Sequence, residues 1–147
     1  MLQLTKRTEY GLIALTHLAT SEERVTSVRS ICERYPVPRR LLAEVLKVLQ
    51  RSQLVESHRG AHGGYSLARA PEEIKLSEVI GALEGHPSLT SCEALGAYEA
   101  SSCTVEAVCP IRSPIHVLRQ GIWRMLANTT LSDLVRRPEA AGALALQ

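Results

Sequence analysis

The stretch that decides the fold is residues 35–67, which read YPVPRRLLAEVLKVLQRSQLVESHRGAHGGYSL. Pro36 and Pro38 end any helix before them, because proline lacks the amide hydrogen that a helical ladder needs. Pro38 suits the first position of a new helix, and from Pro38 to Ser52 apolar residues recur at helical spacing. The apolar stripe consists of Leu41, Leu42, Val45, Leu46, Val48 and Leu49, and the remaining surface carries Arg39, Arg40, Glu44, Lys47 and Arg51.

Two further helices are predicted upstream of this stretch. The first runs from Thr5 to about Thr20, with Thr5 as a plausible N-cap, and the second from Ser27 to about Tyr35, capped by Thr26 or Ser27. Two helices joined by a tight break, the second with basic residues at its start, are typical of a helix-turn-helix.

A β-hairpin is predicted directly after the third helix. Residues 54–59 and 65–67 are short strand-like runs, separated by a turn that contains Gly60, Gly63 and Gly64. A helix-turn-helix followed by such a hairpin predicts a winged helix-turn-helix, a mainly α fold with a small β-hairpin wing that is used to bind DNA.

The basic residues divide by the part of DNA that each would reach. Arg39 and Arg40 would meet base edges or phosphates in the major groove, and Arg59 would enter the minor groove, where the glycines let the backbone approach closely. Phosphate contacts are expected from residues at the starts of the first two helices, although each of these charges is equally consistent with a solvated surface. The predicted DNA-binding residues are Lys6, Arg7, Arg29, Arg39, Arg40, Arg59, Gly60, His62, Gly63, Gly64 and Tyr65.

Charge and composition agree with an intracellular DNA-binding protein. The net charge of +2 is unevenly distributed along the chain. Residues 1–70 hold 11 Lys and Arg against 6 Glu, whereas residues 71–147 hold 6 Lys and Arg against 9 Asp and Glu. A basic half favours a polyanionic partner. The apolar runs are too short to span a bilayer, and the N-terminus lacks the features of a signal peptide. We therefore expect a cytoplasmic chain without a membrane partner, in which cysteines serve metal or redox chemistry and not structural disulfides.

The last third of the chain predicts a dimerisation helix. Its apolar residues follow a three-four spacing and leave a seam that a small chain has difficulty covering by itself; the alternative is packing on its own domain. The predicted interface residues are Ile115, Leu118, Ile122, Met125 and Leu126. A short closing helix is expected at residues 131–135, and a frayed tail from Pro138.

A cysteine-bearing segment separates the two halves. We predict a DNA-binding domain over residues 1–85, a loop over residues 86–110, and the dimerisation helix and tail over residues 111–147. The loop holds Cys92, Cys103 and Cys109, whose spacing is not the Cys-x2-Cys of zinc knuckles. Three thiolates can still converge on one metal centre, so the spacing leaves open a cluster, a thiol switch and inert cysteines. Cys32, among apolar neighbours in the second helix, is expected to pack in the core.

These segments together resemble the Rrf family of winged-helix regulators, which includes sensors of iron–sulfur clusters, of nitric oxide and of iron. The resemblance covers nearly the whole chain and rests on residues 4–10, 54–55, 59–65, 76–80 and 130–134 together with the three-cysteine loop. It implies a dimer with long crossed helices and one iron–sulfur cluster per subunit, of [2Fe-2S] type, in that loop.

Two departures from the family bear on the ligands of such a cluster. The gap between Cys92 and Cys103 is ten residues where members commonly have about five, and Arg112 stands where some members have a histidine ligand. The resemblance implies a fourth ligand at Glu9, supplied by the partner subunit's first helix, unless Glu9 is a solvated or salt-bridged glutamate. His116 is the second choice, followed by His86 and Glu106.

The sequence thus predicts a homodimeric transcriptional regulator, a repressor, that senses cluster status, redox state or nitric oxide and binds a palindromic double-stranded operator. Nucleophile elbows, phosphate loops and convincing carboxylate pairs are missing from the sequence, so no enzymatic activity is expected. Two alternatives remain. One is a family member without a cluster that senses by thiol oxidation or a partner protein, and the other is a zinc-dependent interaction module.

Overall fold

The structure, a computed structural model, describes residues 3–86, 88–90, 105 and 108–136. It confirms a mainly helical fold with a two-stranded antiparallel hairpin. The elements are α1 (Lys6–Thr20), α2 (Val28–Arg34), α3 (Arg39–Arg51), β1 (Val55–His58), β2 (Gly64–Leu67), a 3-10 turn (Pro71–Glu73), α4 (Leu76–Glu84), α5 (Arg112–Asn128) and α6 (Leu131–Val135).

The helix starts follow the capping residues of the sequence. The Thr5 hydroxyl accepts a hydrogen bond from the Thr8 amide, and the Ser27 hydroxyl accepts one from the Ser30 amide at 3.0 Å. Ser27 is therefore the cap of α2, and the alternative cap Thr26 is wrong. Pro38 is the N-cap of α3, with φ −59° and ψ 118°, and not its first helical residue as predicted. The extended ψ of Pro38 places this residue just before the helix, so that Arg39 is the first helical residue.

The wing contains one partner that the sequence did not indicate. β1 and β2 pair from Val55 opposite Leu67 to His58 opposite Gly64. Thr26, between α1 and α2, adds to the outer side of β2 by exchanging two backbone hydrogen bonds with Tyr65, at 2.9 and 2.8 Å. Thr26 is only 1% exposed. The hairpin is thus joined directly to the residue that precedes the cap of α2.

The core lies beneath α3, whose apolar stripe packs against α1, α2 and α4. The fully buried side chains include Leu15, Ile31, Leu42, Leu46, Leu49, Leu54, Ile74 and Leu131. Cys32 is half-buried and packs against this core, as predicted. Leu131 belongs to α6, so the closing helix is part of the same core although it follows the dimerisation helix in the chain.

Backbone hydrogen bonds tie the end of α5 to the start of α4. The Leu76 amide donates to Thr129 at 2.9 Å, and the Leu131 amide donates to Ile74 at 2.8 Å. Thr130 then caps α6, and the amide of Thr130 donates to the Asp133 carboxylate at 2.8 Å. Hydrogen bonds from Thr130 lower the pKa of Asp133. This junction fixes where α5 leaves the core.

The described residues of its own protomer give α5 little cover beyond that junction. None of its 17 residues is buried, and its contact with the core is made with α4, where Trp123 lies against Gly81 and stacks on His86 with ring centroids 4.6 Å apart. In the described part of the chain, α5 and the other helices are too short or too polar to cross a membrane. The predicted tail from Pro138 lies outside the described residues.

Candidate nucleic-acid interface and cysteine segment

The exposed face of α3 carries the side chains predicted to enter the major groove. Arg39 and Arg40 lie in its first turn and are exposed. The Arg40 side chain is 95% exposed, and its nitrogen Nε lies 3.5 Å from the carboxylate of Glu44, one turn further along. α3 therefore presents basic groups to solvent at the end that a recognition helix places in the groove.

The wing tip is a five-residue loop between His58 and Gly64. The Gly63 amide donates to the Gly60 carbonyl at 3.0 Å, and Gly60 has a φ of +117°, a backbone conformation that glycine adopts without strain. Arg59 and His62 are both exposed at this tip. The loop thus exposes a cation and an imidazole at the tip of the hairpin, and their contact with DNA stays a prediction.

Gly64 and Tyr65 have a structural role that the sequence prediction did not include. A Cβ on Gly64 would lie 2.3 Å from the Thr26 carbonyl oxygen, so the absence of a side chain lets the hairpin approach Thr26. The Tyr65 side chain is half-buried and packs against the core. These contacts favour anchoring of the wing as the function of both residues.

The remaining predicted phosphate contacts lie on the exposed starts of α1 and α2. Lys6 forms an ion pair with Glu9 at 2.5 Å, and Arg29 forms one with Glu33 at 2.8 Å. The hydrogen bonds and attraction within these pairs raise the pKa of Lys6 and of Arg29. Exposed pairs of this kind contribute little to stability, so both cations can exchange their carboxylate for a phosphate.

The predicted cluster ligands are only partly within the described residues. Cys92 and Cys103 lie outside them, as does Glu106, while Cys109 is a half-buried free thiol three residues before α5. Over residues 3–86, 88–90, 105 and 108–136, no three side chains of His, Cys, Asp or Glu come together in a way that could hold a metal ion. The complete set of three cysteines and Glu9 therefore stays a prediction.

The end of α4, just before the cysteine segment, is fixed to the start of α1. Thr5 donates its backbone amide to the carboxylate of Glu84, the last residue of α4, at 2.6 Å. Partial burial raises the pKa of Glu84, but hydrogen bonds from Thr8 and Thr5 outweigh this effect and lower it below its usual value. Since Glu9 lies in the first turn of α1, the segment leaves the core beside the helix that carries the predicted fourth ligand.

His116 is less suited to be that ligand. Its Nδ1 lies 3.0 Å from the Arg119 guanidinium and its Nε2 lies 2.8 Å from the Gln120 side-chain amide. A guanidinium can only donate, so Nδ1 must accept and its lone pair is already used. Iron would have to displace one of these two contacts, both of which come from the same helix.

The predicted dimer seam lies on a face of α5 that the described residues cover only in part. Leu118 is 54% and Met125 is 52% exposed, and Ile115, Ile122 and Leu126 are half-buried. Exposed apolar side chains in one row mark an interaction site. Within the described residues the seam is only partly covered by its own domain, and the dimer interface stays a prediction.

Sequence reasoning missed two contacts that position the site. Thr26 carried no periodic signal, because a single bridging residue makes no strand pattern. The sequence offered only a weak indication of the stack of His86 on Trp123, namely that Trp123 is the only tryptophan of the chain. In the structure its indole also lies against Gly81 of α4, where a Cβ would be 3.4 Å from the ring.

Comparison with known proteins gives one consistent result. The sequence profile of the Rrf2 family, described as iron-dependent transcriptional regulators, matches residues 4–137. The HTH-type transcriptional regulator NsrR of Halalkalibacterium halodurans is 31% identical over 144 residues, which is 97% of each chain. Among solved structures, CymR, the global cysteine regulator of B. subtilis, has a TM-score of 0.70 at 28% identity and covers 92% of this chain and 97% of its own. IscR of T. potens has a TM-score of 0.69 at 29% identity and covers 97% of this chain and 92% of its own.

The family match spans the helix-turn-helix, the wing, the cysteine segment and both C-terminal helices. Members of this family are DNA-binding proteins without enzymatic activity, which confirms both the predicted winged helix and the predicted absence of catalysis. The chain belongs to the Rrf2 family of winged-helix transcriptional regulators.

Proposed function

We propose that this regulator is a homodimeric cytoplasmic repressor whose affinity for a palindromic operator is set by a [2Fe-2S] cluster held by Cys92, Cys103, Cys109 and Glu9. The observation that carries the proposal is the hydrogen bond between the Thr5 amide and Glu84. It ties the end of α4, after which the cysteine segment begins, to the N-cap of α1 in the same protomer, one turn before Glu9. A change in the segment would therefore reach the DNA-binding half through this contact.

The donor chemistry of these residues suits an iron–sulfur cluster. Thiolates are soft ligands that favour iron–sulfur clusters, whereas a carboxylate is harder and binds cluster iron more weakly. When bound, the cluster would supply a site that reacts with oxygen, nitric oxide or exchanging iron at the carboxylate-held corner. Glu9 is available for this role, because its ion pair with Lys6 is exposed and weak.

α1 provides the path from Glu9 to DNA. This helix packs against α3 and α4 in the same protomer, and its buried residues include Ala14 and Leu15 at the centre of the core. Engagement of Glu9 by the partner subunit's cysteine segment would hold α1, and with it α3, in one position relative to the second protomer. Release of Glu9 would shift the equilibrium between operator-binding and non-binding dimers.

The exposed seam of α5 supports the dimer. A second copy of the same helix would cover Leu118 and Met125, which solvent now reaches. A twofold dimer would place two α3 helices and two wings on one side of the molecule, and such symmetry matches a palindromic operator.

Anaerobic purification followed by visible absorption and iron and sulfide analysis tests the proposal. We expect a coloured wild-type protein, and a Glu9→Ala variant whose spectrum is altered and whose cluster is lost faster in air. Glu33→Ala is the matched control, since Glu33 is also a helical glutamate in an exposed ion pair, and it should behave as wild type. An unchanged cluster in Glu9→Ala would remove Glu9 from the ligand set, and a colourless wild-type protein would contradict the cluster itself.

A second candidate function is favoured by the half-buried free thiol of Cys109 and by the likeness to the cysteine regulator CymR. In this alternative the same DNA-binding dimer holds no cluster and senses by thiol oxidation or by a partner protein. It predicts a colourless protein whose operator affinity changes with mild oxidation, and loss of that response in Cys109→Ser. The match to a family of transcriptional regulators leaves the zinc-dependent interaction module without support.

A further inference from the structure

Glu44 lies at the centre of the exposed face of α3. The buried residues of this helix are Leu42, Val45, Leu46 and Leu49. With about 3.6 residues per turn, the opposite face is centred on Arg40, Glu44, Lys47 and Arg51. These four side chains are exposed. A single acid is thus placed among three bases on the face that a recognition helix turns toward DNA.

The fold gives no reason for an acid at this position. The Arg40–Glu44 pair is long, at 3.5 Å, and its side chains are 95% and 54% exposed. Exposed pairs add little to stability, and an arginine that precedes its glutamate by one turn is the less favourable order on a helix. The exposed carboxylate of Glu44 is therefore accessible to a group outside the protomer.

Cytosine is the base whose major-groove edge best suits a carboxylate. It presents its N4 amino group as a donor without an adjacent acceptor, whereas adenine presents its N6 donor beside the acceptor N7, guanine presents acceptors at O6 and N7, and thymine an acceptor at O4. A carboxylate that approaches those acceptors and the nearby phosphates is repelled unless a donor meets it. Arg40, one turn toward the start of the helix, has the complementary chemistry for guanine.

We propose that Glu44 is a specificity-determining residue of this regulator, which selects a cytosine in each half-site by accepting a hydrogen bond from its N4 amino group, with Arg40 on a neighbouring guanine. The ion pair keeps Arg40 close to Glu44 in the free protein. On DNA, both side chains exchange this long contact for base contacts. The repulsion of acceptor-bearing bases contributes to selection as much as the attraction to cytosine. The inference rests on DNA binding by the family and not on the proposed cluster.

Selection from a randomised duplex pool tests this assignment, with wild type, Glu44→Gln and Glu44→Ala run in parallel. Wild type should enrich cytosine at one position per half-site. Glu44→Gln should move the preference at that position toward adenine, which an amide side chain reads. Glu44→Ala should lose about tenfold or more of its discrimination there and bind unselected duplex more tightly, because a negative charge has left the face.

Glu33→Gln is the control, since Glu33 is an exposed acid paired with the arginine four residues before it, on α2. It should keep the wild-type preference. A wild-type pool without cytosine enrichment, or the same base preference in both Glu44 variants, overturns the proposal. Visible spectra of the same preparations report separately on the cluster, so a colourless protein with the expected base preferences counts against the proposed function only.

Discussion

Replacement of Gly64 by alanine should separate the wing from the helix-turn-helix. A Cβ at this position would lie 2.3 Å from the carbonyl oxygen and 2.6 Å from the carbonyl carbon of Thr26, and 2.9 Å from the Ser27 nitrogen. All three neighbours are backbone atoms, so no flexible side chain can turn away. Relief of the clash requires the wing and Thr26 to move apart by roughly 1 Å, which is beyond what hydrogen bonds of ordinary length tolerate.

The magnitude follows from the two backbone bonds that this movement breaks. Thr26 and Tyr65 exchange bonds of 2.9 and 2.8 Å, and Thr26 is buried. A buried backbone group without a partner costs about 1–3 kcal/mol, so the pair accounts for about 2–6 kcal/mol. Alanine offsets about 0.4–1 kcal/mol by restricting the unfolded chain. The net loss of about 1–5.5 kcal/mol should lower Tm by roughly 2–22 °C in a domain of this size.

Thermal unfolding at one fixed protomer concentration measures that loss, and hydrogen exchange at the Thr26 and Tyr65 amides localises it. DNA affinity should fall as well, because the wing tip no longer keeps its position relative to α2. Gly121→Ala is the matched control, since Gly121 lies in the exposed helix α5, where an added Cβ would meet nothing within 4 Å. There alanine should stabilise the helix by about 0.5–1 kcal/mol. A Gly64→Ala protein with wild-type Tm and wild-type exchange would refute the proposed tight contact.

Three further outcomes are expected. Leu118→Lys should yield a folded monomer in sedimentation experiments, whereas Val117→Lys, at 64% exposure on another side of α5, should remain dimeric; equal effects of the two changes would contradict the seam. Gly121→Ala should leave the dimer affinity unchanged in the same sedimentation experiments, because an added Cβ would meet nothing within 4 Å, and a weakened dimer would disqualify it as a control. Hydrogen bonds hold the pKa of Glu84 in the folded protein below its ordinary value of 4.5. Its ionised carboxylate therefore stabilises the fold at any pH above 4.5, and this stabilisation is lost as the pH falls through the lower pKa of the folded state. Glu84→Gln should therefore make Tm less sensitive to acid in that window, while the exposed surface change Glu22→Gln should leave the profile as in wild type.

The sequence predicted those parts of the fold that have a repeating physical signal. The apolar stripe of α3 and the hydroxyl cap at Ser27 give local, periodic or positional patterns, and the structure places both as expected. The glycine-rich turn predicted a hairpin for the same reason. The features that the sequence did not predict depend on contacts between segments that are far apart in the chain. Thr26 joins the wing through one residue, and neither that bridge nor the reason for Gly64 is visible without the partner strand.

For the candidate site, the sequence predicted which side chains are exposed better than it predicted their contacts. The basic side chains were correctly placed on exposed surfaces, yet the sequence did not show that Tyr65 packs inward. It also did not show that both ring nitrogens of His116 are engaged by neighbours on its own helix. Which side chains contact one another depends on their rotamers and on the neighbouring helical turns. The pattern of residues in the sequence determines neither.

The connections between the elements indicate where a signal enters the DNA-binding half. α5 is fixed to α4 at one end by the backbone bonds around Thr130 and along its length by Trp123, which packs on Gly81 and His86. These contacts favour movement of α4 and α5 as one body. The cysteine segment connects the two helices, and within the described residues the hydrogen bond from Thr5 to Glu84 links the end of α4, after which that segment begins, to the first turn of α1. Since α1 packs on α3, a displacement of about 1 Å at that turn would be passed to the recognition helix through a close-packed core, which transmits strain and does not absorb it.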